Sequence, residues 1–134
     1  MELPAEARRH LEHDQVVWLT TVTGTGAPSP VPVWFLPDGD TVVVFSEPKA
    51  RKVANISARP RVTLHFNSDP AGQDIVVIAA MAQVEPDVLP STQPGYLEKY
   101  GSALATWGLT LDEFDRNTTT RLRLEPISVW LGPS

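Results

Sequence analysis

The sequence contains no cysteine, and this absence excludes several kinds of functional site. Its 134 residues offer no thiol for a disulfide framework, a thiolate zinc site, an iron–sulfur cluster or a cysteine nucleophile. No apolar run approaches the ~20 residues that a membrane-spanning helix needs. The first eight residues also lack the charged-then-apolar pattern of an export signal. We therefore expect a soluble, cytoplasmic protein that does not bind a membrane.

Basic residues are scarce relative to acidic ones. The chain has 11 Lys and Arg against 16 Asp and Glu, which gives a net charge of −5. Proteins that bind nucleic acid usually carry a basic surface, so we expect no nucleic-acid partner. Apolar residues make up 42% of the chain and charged residues 20%, values typical of a folded globular protein. Because no linker or repeat divides the chain, we expect residues 1–134 to form one domain.

Proline is plentiful, with 13 residues, and it disfavours long helices and central strands. Stretches rich in β-branched and aromatic residues predict six strands, at 16–22, 28–36, 41–45, 61–66, 74–85 and 118–131. Four helices are predicted, at 4–13, 46–58, 92–105 and 110–117. Because the strands follow one another without βαβ alternation, we expect a mainly β fold. Its sheet would be antiparallel, closed or split into a barrel, with helices at the periphery.

Three prolines, Pro28, Pro30 and Pro32, recur at every second position of one predicted strand. Residues two apart in a strand direct their backbone N–H positions to the same side, so all three missing donors fall on one side. We therefore predict that this side is unpaired and that the strand lies at a sheet edge. The Pro-Asp-Gly-Asp segment at 37–40 predicts a hairpin turn.

The charge distribution has one anomaly, in residues 48–68. This segment contains no acidic residue and five basic ones: Lys49, Arg51, Lys52, Arg59 and Arg61. Three of them fall in the first turns of the predicted helix 46–58, for which Ser46 is the expected N-cap. A helix N-terminus carries partial positive charge, so these cations oppose its field and repel one another. We infer that the segment binds an anion such as phosphate; the alternative is a solvated basic face.

No side chain stands out as a general acid, a nucleophile or a metal ligand, so the catalytic residues stay unassigned. His10 and His13 lie one helical turn apart without an evident third ligand. We interpret them as surface or hydrogen-bonded histidines and predict no metal site. His65 is expected to be a hydrogen-bonded residue of the sheet.

The aromatic residues near the predicted third helix leave two interpretations open. Tyr96 and Tyr100 are four residues apart on one helix face, and Trp107 follows them. We favour packing against the barrel or a partner subunit; the alternative is a wall of the substrate pocket. Trp18, Trp34 and Trp130 lie in predicted strands and are expected in the core or at an interface.

Several segments, taken in order, resemble the flavin and deazaflavin oxidoreductases of the pyridoxamine 5′-phosphate oxidase-like split-barrel family. They are residues 18–22, 26–35, 44–46, 49–56 and 59–64. The likeness covers about residues 10–85 and, more loosely, the last strand. It implies a six-stranded antiparallel Greek-key split β-barrel. It also implies a homodimer with cofactors in grooves at the subunit interface.

The resemblance also implies which residues hold the cofactor. The basic pair that binds the cofactor phosphate in the family corresponds to Arg51 and Lys52, with Lys49 as a neighbouring candidate. The strand that lines the cofactor ring corresponds to Pro30, Val31, Pro32, Val33 and Trp34. The residues that approach the ribityl and phosphate groups correspond to Phe45 and Ser46.

The chain departs from pyridoxamine phosphate oxidases at residues 121–134, which lack the Arg-x-His substrate motif of that branch. Oxidation of vitamin B6 is therefore not expected. The short chain and its Pro32-Val33-Trp34 run resemble the mainly actinobacterial branch that uses coenzyme F420. This branch implies hydride transfer between F420 and a small organic acceptor. The alternatives are an FMN-dependent oxidoreductase on the same fold and a carrier that binds flavin or deazaflavin without turnover.

Overall fold

The computed structural model describes residues 1–132 as one sheet with flanking helices. The strands are β1 Val17–Val22, β2 Pro28–Val33, β3 Leu36–Asp38, β4 Thr41–Ser46, β5 Arg61–His65, β6 Val76–Pro86 and β7 Thr120–Leu131. The helices are α1 Ala5–His13, α2 Arg51–Ala58, α3 Tyr96–Thr106 and α4 Leu111–Asn117, with a 3-10 helix at Pro90–Thr92. None of the helices within residues 1–132 is long and apolar enough to cross a membrane.

The sheet is antiparallel throughout, with the strand order β2-β1-β5-β6-β7-β4-β3. Its two edge strands, β2 and β3, are consecutive in the chain and joined only by Trp34 and Phe35. The Cα atoms at the two ends of this link can be at most about 11 Å apart. The edges of the sheet therefore come together, and the sheet curls into a half-barrel. The prediction of a mainly β, antiparallel fold with helices is confirmed.

The described sheet has seven strands rather than the predicted six, because the predicted strand 28–36 is broken at Trp34 and Phe35. Phe35 is fully buried, and its backbone groups bond to side chains of α3 instead of a neighbouring strand. Its N–H donates to the Tyr100 hydroxyl at 2.8 Å, and its carbonyl accepts from Lys99 Nζ at 2.8 Å. Buried peptide groups need such partners. The side chains of α3 thus allow the chain to leave one edge of the sheet and enter the other.

The prolines of β2 lie where a missing donor is tolerated. Within the described residues β2 pairs only with β1, and Pro28, Pro30 and Pro32 occupy alternate register positions on it. All three are exposed. This confirms that the strand lies at an edge of the sheet. The predicted hairpin is also present, because Gly39, at φ +60°, lies in the turn between β3 and β4.

Helix α2 begins at Arg51, later than predicted. Ser46 is not its N-cap, because it is the last residue of β4 and its buried hydroxyl donates to the carbonyl of Glu47 at 3.0 Å. The N-cap is Ala50, which has no side-chain oxygen to cap the helix. Strand pairing at Ser46 therefore overrides its capping preference. The consequence is that Arg51 and Lys52 occupy the first two helical positions.

The interior of the half-barrel holds the main apolar core. Inward-facing strand residues fill it and include Leu19, Leu64, Ile78, Leu122 and Leu124, which are fully buried. Helix α2 contributes Val53 and Ile56 to this core. A second apolar cluster packs with α3 and α4, and its buried members are Leu36, Val43, Tyr96 and Tyr100. The fold thus fixes α2 against β1 and β6 while α3 secures the link between the sheet edges.

Candidate functional site

A cavity of about 250 Å³ opens between one edge of the sheet and the start of α2. It is lined by Thr21 of β1, by Ser29 and Val31 of β2, and by Arg51 and Lys52 of α2. Thr21 and Ser29 are cross-strand partners, so their hydroxyl-bearing side chains lie on the same face of the sheet. Helix α2 brings its first two residues to these hydroxyls. We call this site the α2 cavity.

The five basic residues of segment 48–68 form no salt bridge in the described part of the chain. Within residues 1–132, no carboxylate oxygen lies within 4.0 Å of the side-chain nitrogens of Lys49, Arg51, Lys52, Arg59 or Arg61. Four of the other six basic residues do have such partners: Arg8, Arg9, Arg121 and Arg123. The charge anomaly of the sequence therefore persists in the folded chain.

Lys52 is the most buried cation of the cavity. Burial lowers the pKa of its ammonium group, and the charge of Glu47 opposes this shift only in part. The first turn of α2 contains no acidic residue, and its N-cap provides no side-chain hydrogen bond. Free N–H groups at a helix start and two adjacent cations form an anion site. An anion in the α2 cavity would stabilise the charged form of Lys52.

A buried hydrogen bond that the sequence analysis did not foresee fixes one wall of the cavity. Asn55 Nδ2 donates to Thr21 Oγ1 at 3.0 Å, and both side chains are buried. This bond ties α2 to β1 and holds the Thr21 hydroxyl in place. The available signal was an asparagine between the apolar residues Val53 and Ile56, because Asn disfavours helix interiors. Asn55 is therefore a positioning residue of the cavity.

The predicted ring-lining stretch of β2 is divided between several environments. Val31 lines the α2 cavity, whereas Val33 is buried in the core, and Pro30 and Pro32 are exposed. Trp34 lies outside β2 and belongs to the aromatic cluster with α3 and α4. Of these five residues, the structure brings only Val31 to the cations. Contact between the other four and a cofactor stays a prediction.

The remaining predicted residues surround the cavity without lining it. Phe45 packs edge-to-face on Tyr96, with ring centroids 5.5 Å apart. Ser46 is buried at the end of β4, and Lys49 is exposed in the turn before α2. Roles for Phe45, Ser46 and Lys49 in cofactor binding stay predictions.

Comparison with protein families decides the family of the chain. A family model described as pyridoxamine 5′-phosphate oxidase matches residues 3–130. The chain belongs to this family. The resemblance noted at residues 10–85 is thereby confirmed and extends through the last strand. No curated protein matches this member of the pyridoxamine 5′-phosphate oxidase family.

Solved structures share its fold. An F420 reductase matches with a TM-score of 0.70 and 22% identity, over 96% of this chain and 98% of its own. HutZ, the heme storage protein from Vibrio cholerae, matches with a TM-score of 0.65 and 17% identity, over 98% and 95%. The conserved hypothetical protein Rv2991 from Mycobacterium tuberculosis matches with a TM-score of 0.74 and 17% identity, over 96% and 83%. At identities this low, the matches show that the proteins share a fold and nothing further.

Both tyrosines of α3 pack in the interior of the protein. Tyr100 is fully buried and Tyr96 is 3% exposed. Trp34 stacks on Tyr100, with centroids 4.4 Å apart, and on Trp107, with centroids 4.6 Å apart. The packing interpretation therefore accounts for both tyrosines. Trp107, the outer ring of this stack, is 60% exposed.

The histidines of this family member have structural surroundings. His10 is buried, with Nδ1 2.7 Å from Asp14 Oδ2, and its ring stacks on Phe66 at 4.8 Å. His13 is exposed, and His65 lies parallel to Trp18 at a centroid distance of 6.0 Å. Among the described residues 1–132, no group of three or more His, Cys, Asp or Glu side chains is arranged to hold a metal ion.

One face of the sheet in this family member carries exposed apolar side chains. Cross-strand pairing aligns five residues in a row across five strands: Pro32, Trp18, His65, Val77 and Trp130. We call this set the outer row. Trp130, on β7, is 49% exposed. Met81 on β6 and Ile127 on β7 are each 42% exposed. Such a patch is typical of a surface that binds another protein.

Proposed function

We propose that this chain is an oxidoreductase that binds coenzyme F420 and transfers a hydride between its deazaflavin ring and a small organic acceptor. The α2 cavity carries the proposal, because Arg51 and Lys52 meet two hydroxyl groups there without a carboxylate partner among residues 1–132. A phosphate supplies the missing negative charge. Because F420 and FMN both contain a phosphate, FMN is the alternative cofactor.

The chain offers three kinds of group to a phosphate in the α2 cavity. Arg51 and Lys52 supply charge, the start of α2 supplies backbone N–H groups, and Thr21 and Ser29 supply hydroxyls. Hydrogen bonds to charged groups contribute roughly 1.5–3 kcal/mol each. The donor set therefore fits a phosphate ester. A phosphate in the α2 cavity would lie next to β2, and this edge strand could then line the planar ring of the cofactor.

When bound and reduced, F420 supplies the hydride from its ring, and the protein's part is to bind and orient the cofactor. Helix α2 would hold the phosphate end, while the hydrogen bond between Asn55 and Thr21 keeps the helix at a fixed distance from β1. We propose that the β2 stretch 30–33 lines the ring. The similarity in fold to an F420 reductase supports F420 over FMN as the first choice.

Parallel equilibrium titrations of the intact protein with F420 and with FMN test the cofactor. We expect tighter binding of F420 and oxidation of reduced F420 by at least one acceptor from a panel of electron-poor alkenes and imines. Tighter binding of FMN would replace F420 by the alternative cofactor. If neither cofactor bound, the assignment of the α2 cavity would be wrong.

A second candidate function is a carrier that binds the cofactor without turnover. The heme storage protein HutZ has a similar fold, which shows that the fold itself does not imply a redox reaction. No side chain of the described chain has an assigned proton-transfer role. Tight F420 binding without oxidation of reduced F420 by any acceptor in the panel would favour the carrier.

We also propose that the protein is a homodimer and that the outer row contributes to the subunit interface. The supporting observation is the exposed apolar surface around Trp130 and Met81. Replacing Trp130→Glu should shift sedimentation from a dimer to a monomer, because the introduced charge would be buried at the interface. Trp107→Glu is the matched control, since Trp107 is as exposed but lies outside the outer row. A monomeric wild-type protein would contradict this proposal.

A further inference from the structure

A second cavity lies apart from the α2 cavity and contains a half-buried lysine. It encloses about 450 Å³ between the end of α1, the start of β3 and the start of α3, and Lys99 lines it. The two cavities share no lining residue. The proposed cofactor site makes no use of this lysine. We call this second site the Lys99 cavity.

The amine of Lys99 has an unusual environment for a lysine. Its Nζ donates to the carbonyl of Phe35 at 2.8 Å and lies 3.6 Å from the centroid of the Phe35 ring. Within residues 1–132, no carboxylate oxygen lies within 4.0 Å of it. Burial lowers the pKa of Lys99 to about 8, and the more distant charge of Asp14 opposes the shift. Near pH 7 a larger share of Lys99 than of an exposed lysine therefore carries the neutral, nucleophilic amine.

The walls of the Lys99 cavity determine what kind of molecule fits. Leu11, Leu36 and Pro37 make one part of the lining apolar. Glu12 and Glu98 also line the cavity, beside His13, and these two carboxylates outnumber the one ammonium group of Lys99 and disfavour an anionic guest. A neutral molecule with an apolar body is therefore the favoured occupant. A desolvated lysine in such a cavity is the arrangement that forms Schiff bases with carbonyl compounds.

We propose that Lys99 is a covalent binding site for uncharged aldehydes with an apolar body, which it takes up as an imine. The neutral Nζ attacks the aldehyde carbon, and a carbon–nitrogen bond forms. The carbonyl oxygen leaves as water and takes both amine protons with it. No electrons are exchanged, so the step needs no oxidant or reductant. Hydrolysis reverses it and releases the aldehyde.

Trapping with benzaldehyde and cyanoborohydride tests the proposal on the intact protein. The reductant converts each imine into a stable benzyl amine, which peptide mass spectrometry assigns to one lysine. The chain provides an internal control, because its other lysines are Lys49, which is exposed, and Lys52. We expect at least ten-fold faster labelling at Lys99 than at Lys49 at pH 7, saturating with benzaldehyde. Equal or slower labelling at Lys99, or a rate linear in benzaldehyde, would overturn the proposal.

Two further measurements separate a binding site from a merely accessible amine. With cyanoborohydride in sufficient excess that imine formation limits the rate, labelling at Lys99 should rise with pH and level off above about pH 8, following the pKa of its amine. The anionic 4-carboxybenzaldehyde should label Lys99 at least five-fold more slowly than benzaldehyde, because Glu12 and Glu98 repel it. Lys99→Arg retains the positive charge above Phe35 and should abolish only this adduct. Equal labelling by the two aldehydes would refute the assigned ligand class.

Discussion

Two groups of basic residues in this chain have opposite surroundings. On β7, the Nε atoms of Arg121 and Arg123 lie 2.7 and 3.3 Å from one carboxylate oxygen of Glu85. We call these three residues the β7 network. At the α2 cavity, Arg51 and Lys52 have no carboxylate within 4.0 Å in the described chain. A basic side chain that pairs with a carboxylate, as on β7, has a structural role. A basic side chain without such a carboxylate, as at the α2 cavity, can interact with a ligand.

The directions of the pKa shifts express this difference. Burial alone would raise the pKa of Glu85, but the hydrogen bond and charge of Arg121, helped by Arg123, hold it below its usual value. The charged form is thus favoured in the β7 network. At the α2 cavity, burial lowers the pKa of Lys52, and a bound anion would shift it back by stabilising the ammonium form. We expect the network to contribute to stability and propose that the cavity binds a ligand.

The largest expected effect concerns the α2 cavity. The double variant Arg51→Ala/Lys52→Ala should weaken cofactor binding by roughly a hundred-fold or more, because it removes two charge-assisted contacts. Its free energy of unfolding without ligand should not fall, since neither cation lies within 4.0 Å of a carboxylate oxygen in residues 1–132. Titration with F420 or FMN and urea unfolding measure the two quantities. Unchanged affinity for both cofactors would show that the cations of the α2 cavity do not bind the cofactor, in contrast to the role that separates them from the β7 network.

The β7 network should respond in the opposite way. Glu85→Gln leaves Arg121 and Arg123 without a shared carboxylate and should lower the free energy of unfolding by about 2 kcal/mol. Cofactor affinity should not change. Glu125→Gln is the matched control, because Glu125 is an exposed carboxylate on β7, the strand of Arg121 and Arg123. A variant of Glu85 as stable as wild type would show that the network is not structural.

A smaller effect is expected in the free energy of unfolding as the pH is lowered into the acid range. Because the folded pKa of Glu85 is lowered, its contribution is complete above its unfolded pKa of about 4.3 and is lost as pH falls through the folded value. Wild-type stability should therefore fall below about pH 4.5 more steeply than that of Glu85→Gln. Asp74 also has a lowered pKa, so only the difference between the two proteins is diagnostic. Parallel acid limbs would contradict the role given to Glu85.

The smallest effect is expected at Arg116, an exposed cation of α4 outside both groups. Arg116→Ala should change the free energy of unfolding by no more than about 0.5 kcal/mol. It should leave cofactor affinity as in wild type, which shows that the loss in the double variant does not follow from net charge alone. A comparable loss of affinity in Arg116→Ala would indicate a long-range field instead of a local site.

Local signals in the sequence were sufficient for most of the fold. Alternating prolines placed β2 at an edge, and Asp38-Gly39 marked the turn between β3 and β4. The charges of Arg51 and Lys52 predicted an anion site near the start of a helix, and this site stays a prediction although the helix begins at Arg51 instead of residue 46. These features depend on a few neighbouring residues, which a sequence shows directly.

Features that depend on distant partners were not predictable in this way. Ser46 has the side chain of a good N-cap, but its pairing with Thr120 keeps it in β4. The cavity hydroxyls of Thr21 and Ser29 meet only because of the register between β1 and β2. The break at Phe35 requires a tyrosine that lies 65 positions later. Such contacts are set by the packed molecule and leave little trace in local composition.

The link at Phe35 also has a consequence for folding. The β3–β4 hairpin can form from adjacent residues, whereas Lys99 and Tyr100 must cross 64 and 65 positions to hold Phe35. Contacts that close long loops form slowly because of their entropic cost. We therefore expect the β1–β2 and β3–β4 hairpins to form first, before the long-range pairing of β4 with β7 and the docking of α3 curl the sheet. Until then both sheet edges are exposed, and intermolecular strand pairing during refolding would begin at β2 and β3.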